Sequence, residues 1–411
     1  MSLTIHIDFP APHIKGLRKF VHKGVFMQDV VIVSAVRSPM GRALKGNFVW
    51  TRADDLCAEV IQGCLKRVPQ LDPKEIEDLI VGCAMPEGEQ GMNVARNIGL
   101  LAGLPLSTAA VTVNRFCSSS LVTIMMAAQA IMTGNGDVQL SAGVESMSHV
   151  PMGGFNPSLN PKLMKVGAPE AYISMGITAE NLAQKYNVSR KEQDEFALAS
   201  HLKAVQAIKE GKFKDEIITI TANTKDGKTF SVDTDEGPRA ESTLEKLLTL
   251  KPVFAANGSV TAGNSSPLTD GASATLLMSA DKAKSLGIKP LARVVSMAVA
   301  GCDPAIMGIG PVPAVKKALQ RAGLKLGQID LIELNEAFAA QSLAVIKELE
   351  IDQKKLNPKG GAIALGHPLG ATGGRLMATL INGLFQNDKK YGLETMCVGG
   401  GQGAAMVIER L

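Results

Sequence analysis

Short apolar runs of strand length alternate with stretches of helical spacing along most of the chain. Residues 30–35 form a β-branched run, and residues 53–67 repeat apolar side chains at helical intervals. An apolar strand is expected at 79–83, after an acidic segment that reads as a helix. Residues 111–113 lead through Cys117 into residues 121–132, which are apolar on nearly every face and so predict a buried helix. Another strand is expected at 138–142. This alternation predicts layered α/β architecture.

The pattern changes over residues 148–267, where Lys, Glu, Asn and Pro become more frequent. An amphipathic helix is expected at 190–210 and a hairpin around 223–228. The stretch reads as an insertion mounted on the core, whose pattern resumes at 272–279. A faint repeat relates the two flanks: EIEDLIV at 75–81 matches GQIDLIE at 327–333. Cys117 then lies 37 residues after Ile80, and His367 lies 35 residues after Ile332. A duplication would put Cys117 and His367 at equivalent strand-to-helix turns, where open α/β sheets place ligands.

At 411 residues the chain exceeds the size of one ordinary core, so two or three packed units are expected. The 43 basic and 39 acidic residues are too evenly balanced to imply nucleic acid. Aromatic residues are scarce at 4%, so small and branched aliphatics must fill the core. Residues 121–132 are the longest apolar run near a helix and are too short to span a bilayer. Six cysteines, thinly spread and without CxxC spacing, argue for free thiols in a reducing compartment and against a zinc site. Residues 1–26, with His6, His13, His22 and a single acid, Asp8, read as an N-terminal extension, expected to be disordered.

Four motifs carry chemistry. Cys117 opens the buried helix within NRFCSS at 114–119, where a helix N-terminus can lower a thiol pKa; a buried structural cysteine is the alternative. Its candidate base is His367, set in the glycine-dense GGAIALGHPLGATGG at 360–374. His201, on a charged helix, reads as solvated, and His149 is open between packing and loop. Cys397 begins CVGGGQG at 397–403, whose free N–H groups suit an oxyanion site rather than a nucleotide loop. Asn335, in NEAFAAQ at 335–341, either orients a water or substrate oxygen or caps the next helix.

Together, and in this order, these motifs resemble those of the thiolases, most closely the degradative 3-ketoacyl-CoA thiolases, from about residue 30 to the end of the chain. The resemblance implies an α/β thiolase fold. Two pseudo-repeated α/β halves would form a five-layered α/β/α/β/α core with an inserted loop domain. Residues 27–147 and 268–289 would form the first half, 148–267 the loop domain, and 290–411 the second half. It further implies Cys117 as nucleophile, Cys397 as acid/base, and His367 with Asn335 at one oxyanion hole. The N–H groups of Cys117 and Gly399 would form another. TAGNSS at 261–266 resembles the pantetheine-side loop, suggesting Ala262 and Ser266 as CoA contacts, with Arg239 near the nucleotide.

Other implications are less local. CoA is a co-substrate, and no metal or prosthetic group is expected. Ser174 stands where acetoacetyl-specific relatives often carry His, which favours a broader acyl range in fatty-acid β-oxidation. The alternatives are an acetoacetyl-CoA thiolase running in the condensation direction and a non-catalytic acyl-CoA-binding protein. A homodimer or dimer of dimers is expected in the cytoplasm. The chain looks most like the thiolase subunit of bacterial fatty-acid oxidation complexes, which pairs with a hydratase–dehydrogenase subunit.

Overall fold

A computed structural model describes residues 28–411. The expected extension at 1–26 therefore lies outside the described residues. The strands are β1 (Val30–Arg37), β2 (Gly41–Arg42), β3 (Asp78–Gly82), β4 (Ala109–Val113), β5 (Val138–Ser146), β6 (Ile220–Asn223), β7 (Thr229–Val232), β8 (Thr269–Ser279), β9 (Ala292–Gly301), β10 (Leu331–Leu334), β11 (Tyr391–Val398) and β12 (Gln402–Arg410). The helices are α1 (Ala53–Lys66), α2 (Val94–Leu101), α3 (Ser119–Met132), α4 (Lys162–Lys165), α5 (Met175–Lys185), α6 (Arg190–Lys209), α7 (Leu244–Leu248), α8 (Ala280–Ser285), α9 (Pro311–Ala322), α10 (Ala339–Leu349), α11 (Ala362–Leu365) and α12 (Thr372–Gln386). None among the described residues is long and apolar enough to cross a membrane.

The hydrogen-bonded order is β10-β11-β12-β9-β1-β8-β5-β3-β4. It divides naturally at β1/β9, which pair only through Val31–Arg293 and Ile32–Ala292. On one side β3 runs parallel to β5, and β8 and β1 follow antiparallel. On the other, β10 runs parallel to β11, and β12 and β9 follow antiparallel. The halves thus repeat the same connections, as the sequence spacing suggested. β4 has only a trace of a counterpart, the lone parallel bridge between Ile332 and Leu356.

Alternate residues on these strands feed different cores, because strand side chains point to opposite faces. On β1, Val31 and Val33 pack under α1 and α2 with Leu56, Ile61 and Ile98, whereas Ile32 faces inward. On β12, Ala404 and Met406 face inward, whereas Ala405 and Val407 meet Val315 of α9 and Ile346 of α10. Between the two sheets lie α3 and α12, joined through Leu121, Ile124, Leu376 and Leu380. Helices, sheet, helices, sheet and helices make the five layers. The near-continuous apolarity of the strands follows from burial on both faces.

The two central helices touch through glycine. A Cβ on Gly373 would collide with the backbone N of Leu121. Gly373→Ala should therefore destabilise the protein by about 1–3 kcal/mol or more through overpacking, read as a lowered midpoint in urea unfolding.

The insertion is pinned to both halves by buried charge. Glu216 accepts from Arg37 of β1 at 2.8 Å, from Lys359 at 2.8 Å and from Thr379 of α12 at 2.8 Å. Asp235 takes the other arm of Arg37 at 2.7 and 2.8 Å. Local signals explain other elements: Ser189 and Glu192 form a capping box at the start of α6, and the expected hairpin is β6/β7.

Two sequence expectations fail here. The acidic segment before β3 is only a 3-10 turn, Pro73–Glu75, opened by Asp72 and Pro73. His201 is buried, not solvated, because α6 turns that face toward the backbone N of Arg239, which donates to its Nδ1 at 3.3 Å. Burial pushes its pKa down to about 4, with Arg239 adding repulsion.

Candidate active site

Cys117 sits in a tight 3-10 turn, Phe116–Ser118, between β4 and α3. The preceding Phe116 is left-handed at φ 42°, a strained conformation for a non-glycine residue. Asn114 holds it there: its Oδ1 accepts from Phe116 N at 2.8 Å, while its Nδ2 donates to Ala84 O at 2.9 Å. Beneath lies Glu145 of β5, fully buried. It accepts from the backbone N–H groups of Ala84, Met85 and Gly370 at 2.8, 3.1 and 2.9 Å. One carboxylate thereby ties the segment after β3 to the segment after His367. The turn Leu369–Ala371 packs on the turn holding Cys117.

His367 follows Gly366, whose φ of 106° only glycine adopts readily. Its backbone N donates to Thr269 Oγ1 at 3.1 Å. Its Nδ1 lies 2.6 Å from Thr372 Oγ1, and that hydroxyl donates to Pro368 O at 2.8 Å. Thr372 can therefore only accept from the ring, which puts the proton on Nδ1 and leaves Nε2 bare. Asn335 Nδ2 approaches this bare Nε2 at 3.2 Å. Asn335 is not a helix cap, since α10 begins four residues later, behind Phe338. Its Oδ1 is buried with no partner among the described residues.

Cys397, next to last in β11, is fully buried among Ala179, Ala337, Phe338 and Ala340. The chain then turns through Gly399, Gly400 and Gly401, the latter two at φ 78° and 83°. The backbone N–H groups of Gly399 and of Cys117 itself pull the Cys117 thiol's pKa down. Cys117 and Gly399 line a pocket of about 680 Å³.

The electrostatics differ from the sequence expectation for the thiol. Burial pushes the Cys117 pKa up to about 11, and the two N–H donors only partly offset this. Burial also raises Cys397 far above the ordinary thiol range, with Cys117 next in effect. For His367, burial and then Arg375 of α12 drive the pKa down to about 3. The resting groups are thus neutral thiols beside a neutral imidazole. Because a depressed imidazole pKa keeps the basic form to lower pH, kcat/KM should show no histidine inflection between pH 5 and 9. A pH profile with an acid limb centred near 6.5 would contradict this.

The structure therefore brings Cys117 and Gly399 to one pocket, and His367 and Asn335 into direct contact. It does not bring Arg239, Ala262 or Ser266 to that pocket: Arg239 and Ala262 are exposed, and Ser266 donates its backbone N–H to Ala337 O at 3.0 Å. His149 proves to be packing, clamped between the Glu89 carboxylate and Val49 O at 2.7 Å each.

Family models described as "Thiolase, N-terminal domain" and "Thiolase, C-terminal domain" match residues 30–281 and 288–410. The chain belongs to the thiolase family. It is accordingly an acyltransferase. A thiolase relative from Idiomarina loihiensis, named 3-ketoacyl-CoA thiolase, is 52% identical over 94% of this chain and 100% of its own. Another of that name, from Marinobacter nauticus, is 54% identical over 93% of this chain and 99% of its own. Among solved thiolase structures, human mitochondrial 3-ketoacyl-CoA thiolase superposes with a TM-score of 0.86 at 40% identity, covering 94% of this chain and all (100%) of that one. The acetyl-CoA acetyltransferase of Bacillus anthracis superposes with a TM-score of 0.87 at 42% identity and the same coverage, 94% and 100%.

Proposed function

We propose that this thiolase performs CoA-dependent cleavage of 3-ketoacyl-CoA in fatty-acid degradation, giving acetyl-CoA and an acyl-CoA two carbons shorter. The observation that carries the reading is the placing of Cys117 and Gly399 together on the wall of one pocket. Cys117 Sγ attacks the keto carbon, and His367 Nε2 accepts the thiol proton as charge develops. The bond between the α and β carbons breaks. Cys397 protonates the departing carbanion, leaving acetyl-CoA and an acyl thioester on Cys117. The Cys397 thiolate then takes the proton of a second CoA, whose sulfur displaces Cys117, and His367 returns its proton to the Cys117 thiolate.

Both addition steps place negative charge on an oxygen. The Cys117 and Gly399 N–H groups serve one oxyanion. Asn335, whose spare buried Oδ1 can hold a water, serves the other, with His367 once its Nε2 has taken the thiol proton. Each such donor is worth about 3 kcal/mol in comparable sites. This scheme uses CoA as co-substrate and no metal or prosthetic group. Arg239, Ala262 and Ser266 remain the proposed CoA contacts.

We assign the protein a cytoplasmic homodimer or dimer of dimers, with a hydratase–dehydrogenase subunit as possible partner. Support for self-association is the sheet-end strand β4 with exposed Val111, near exposed Met92 and Leu106. The test of function is thiolysis of a six-carbon 3-ketoacyl-CoA, with products separated and weighed. Acetyl-CoA plus the four-carbon acyl-CoA is expected. Turnover confined to the four-carbon substrate would favour an acetoacetyl-CoA enzyme, and binding without turnover a non-catalytic protein.

A further inference from the structure

The turn holding Cys117 and the turn following His367 come from different halves of the molecule. Reacting groups mounted in this way keep their geometry only if one turn is fixed against the other. Glu145 of β5 stands between them. Its Oε2 accepts from Ala84 N at 2.8 Å and from Gly370 N at 2.9 Å. Its Oε1 accepts from Met85 N at 3.1 Å and from Gln90 Nε2 at 2.9 Å. All four nitrogens donate, so the side chain serves as acceptor on both oxygens.

These ties reach the chemistry in a few further steps. On one side the Ala84 peptide is held at both ends: Glu145 accepts from its N–H, and Asn114 Nδ2 donates to its oxygen at 2.9 Å. Asn114 Oδ1 in turn accepts from Phe116 N, beside Cys117, at 2.8 Å. On the other side Gly370 lies two residues before Thr372, whose hydroxyl accepts from His367 Nδ1 at 2.6 Å. The approach leaves no room for a side chain: a Cβ on Gly370 would collide with Val144 O and crowd Glu145 Oε2 at 2.9 Å. Gln90 braces the carboxylate's own strand, its Oε1 accepting from Ser146 N at 2.6 Å. Glu145 itself is buried and does not line the pocket.

We infer that Glu145 is a positioning residue for the reaction: its carboxylate clamps the turn holding Cys117 to the turn following His367, and so sets the thiol against the imidazole. This rests on the reading of Cys117 as nucleophile and His367 as its base. Misplacing reacting groups by about 1 Å costs on the order of 100-fold in rate, even when the change is made away from them. Glu145 touches no substrate, so the loss falls on kcat more than on KM.

The test measures kcat, KM and the urea midpoint for the wild type, Glu145→Asp, Gly370→Ala and the double variant, with a six-carbon 3-ketoacyl-CoA. Glu145→Asp keeps both acceptor oxygens but is one methylene too short to reach both turns. It should lower kcat by about 100-fold, with KM within about threefold of the wild type and the protein folded without urea. Gly370→Ala, which pushes the second turn off the carboxylate, should do the same. Both break one tie, so the double variant should be only slightly slower than either single one, not about 10⁴-fold slower than the wild type. Losses that multiply overturn the inference, as does a near-wild-type kcat in Glu145→Asp or a loss carried by KM alone. Failure of Glu145→Asp to fold makes the residue part of the fold only and also overturns it; if Gly370→Ala alone fails to fold, the Asp variant decides. Absence of thiolysis in the wild type overturns the thiolysis reading, and the inference with it.

Discussion

Cys117→Ala should lower kcat for thiolysis by roughly 10⁴-fold or more, the scale seen when a covalent nucleophile is removed from a site whose parts act as a unit. The folded state should survive, because the substitution removes one sulfur from a turn already fixed by Asn114, Glu145 and the packing of the 369–371 turn. The large effect follows from what Cys117 alone supplies. It is the thiol that lines the pocket. Cys57, Cys64 and Cys83 cannot substitute, since they are buried in the first core and line no part of that pocket. CoA binding should persist in the variant, which separates loss of chemistry from loss of fold.

Cys397→Ala should have the second largest effect, and a divided one. Cleavage of the carbon–carbon bond creates a carbanion that needs a proton, so thiolysis should fall by about 10²–10⁴-fold. Exchange of labelled CoA into a saturated acyl-CoA needs no carbanion. It runs only through acyl transfer on and off Cys117, with Cys397 assisting only the movement of thiol protons. That exchange should therefore fall much less than thiolysis. Equal losses in both assays would mean that Cys397 acts through packing, where it is buried among Ala337, Phe338 and Ala340.

The parts of the site legible in the sequence are those where backbone geometry constrains composition. Gly366, Gly400 and Gly401 adopt positive φ and Gly403 lies against the backbone of Gly310, so the motifs around His367 and Cys397 stand out as glycine-dense. The similar spacing that paired Cys117 with His367 reflects two copies of one strand–helix unit, now seen as α3 and α12 side by side. The five layers followed from the family resemblance, and the strand patterns agree because both strand faces are buried.

What escaped the sequence depends on contacts between distant segments. Thr372, which fixes the tautomer of His367, is one hydroxyl in a helix start and carries no signal of its own. Glu145 reads as an ordinary strand residue until three backbone N–H groups from two halves are seen to meet it. Phe116 gives no hint of its left-handed backbone, a strain imposed by the turn. The lowered thiol pKa expected at a helix start lost to burial, the larger effect at a thiol this deep. His201 misled because the charges around it on α6 belong to the helix's other face.

The central claim is that the acyl group passes through a thioester on Cys117. The most direct test mixes the protein with a 3-ketoacyl-CoA without added CoA, quenches in acid, and measures intact and peptide masses. The account predicts one added acyl group, two carbons shorter than the substrate's, on the peptide containing Cys117 and absent in Cys117→Ala. An acyl group on Cys397 or another residue, or none while thiolysis proceeds at full rate, would contradict it.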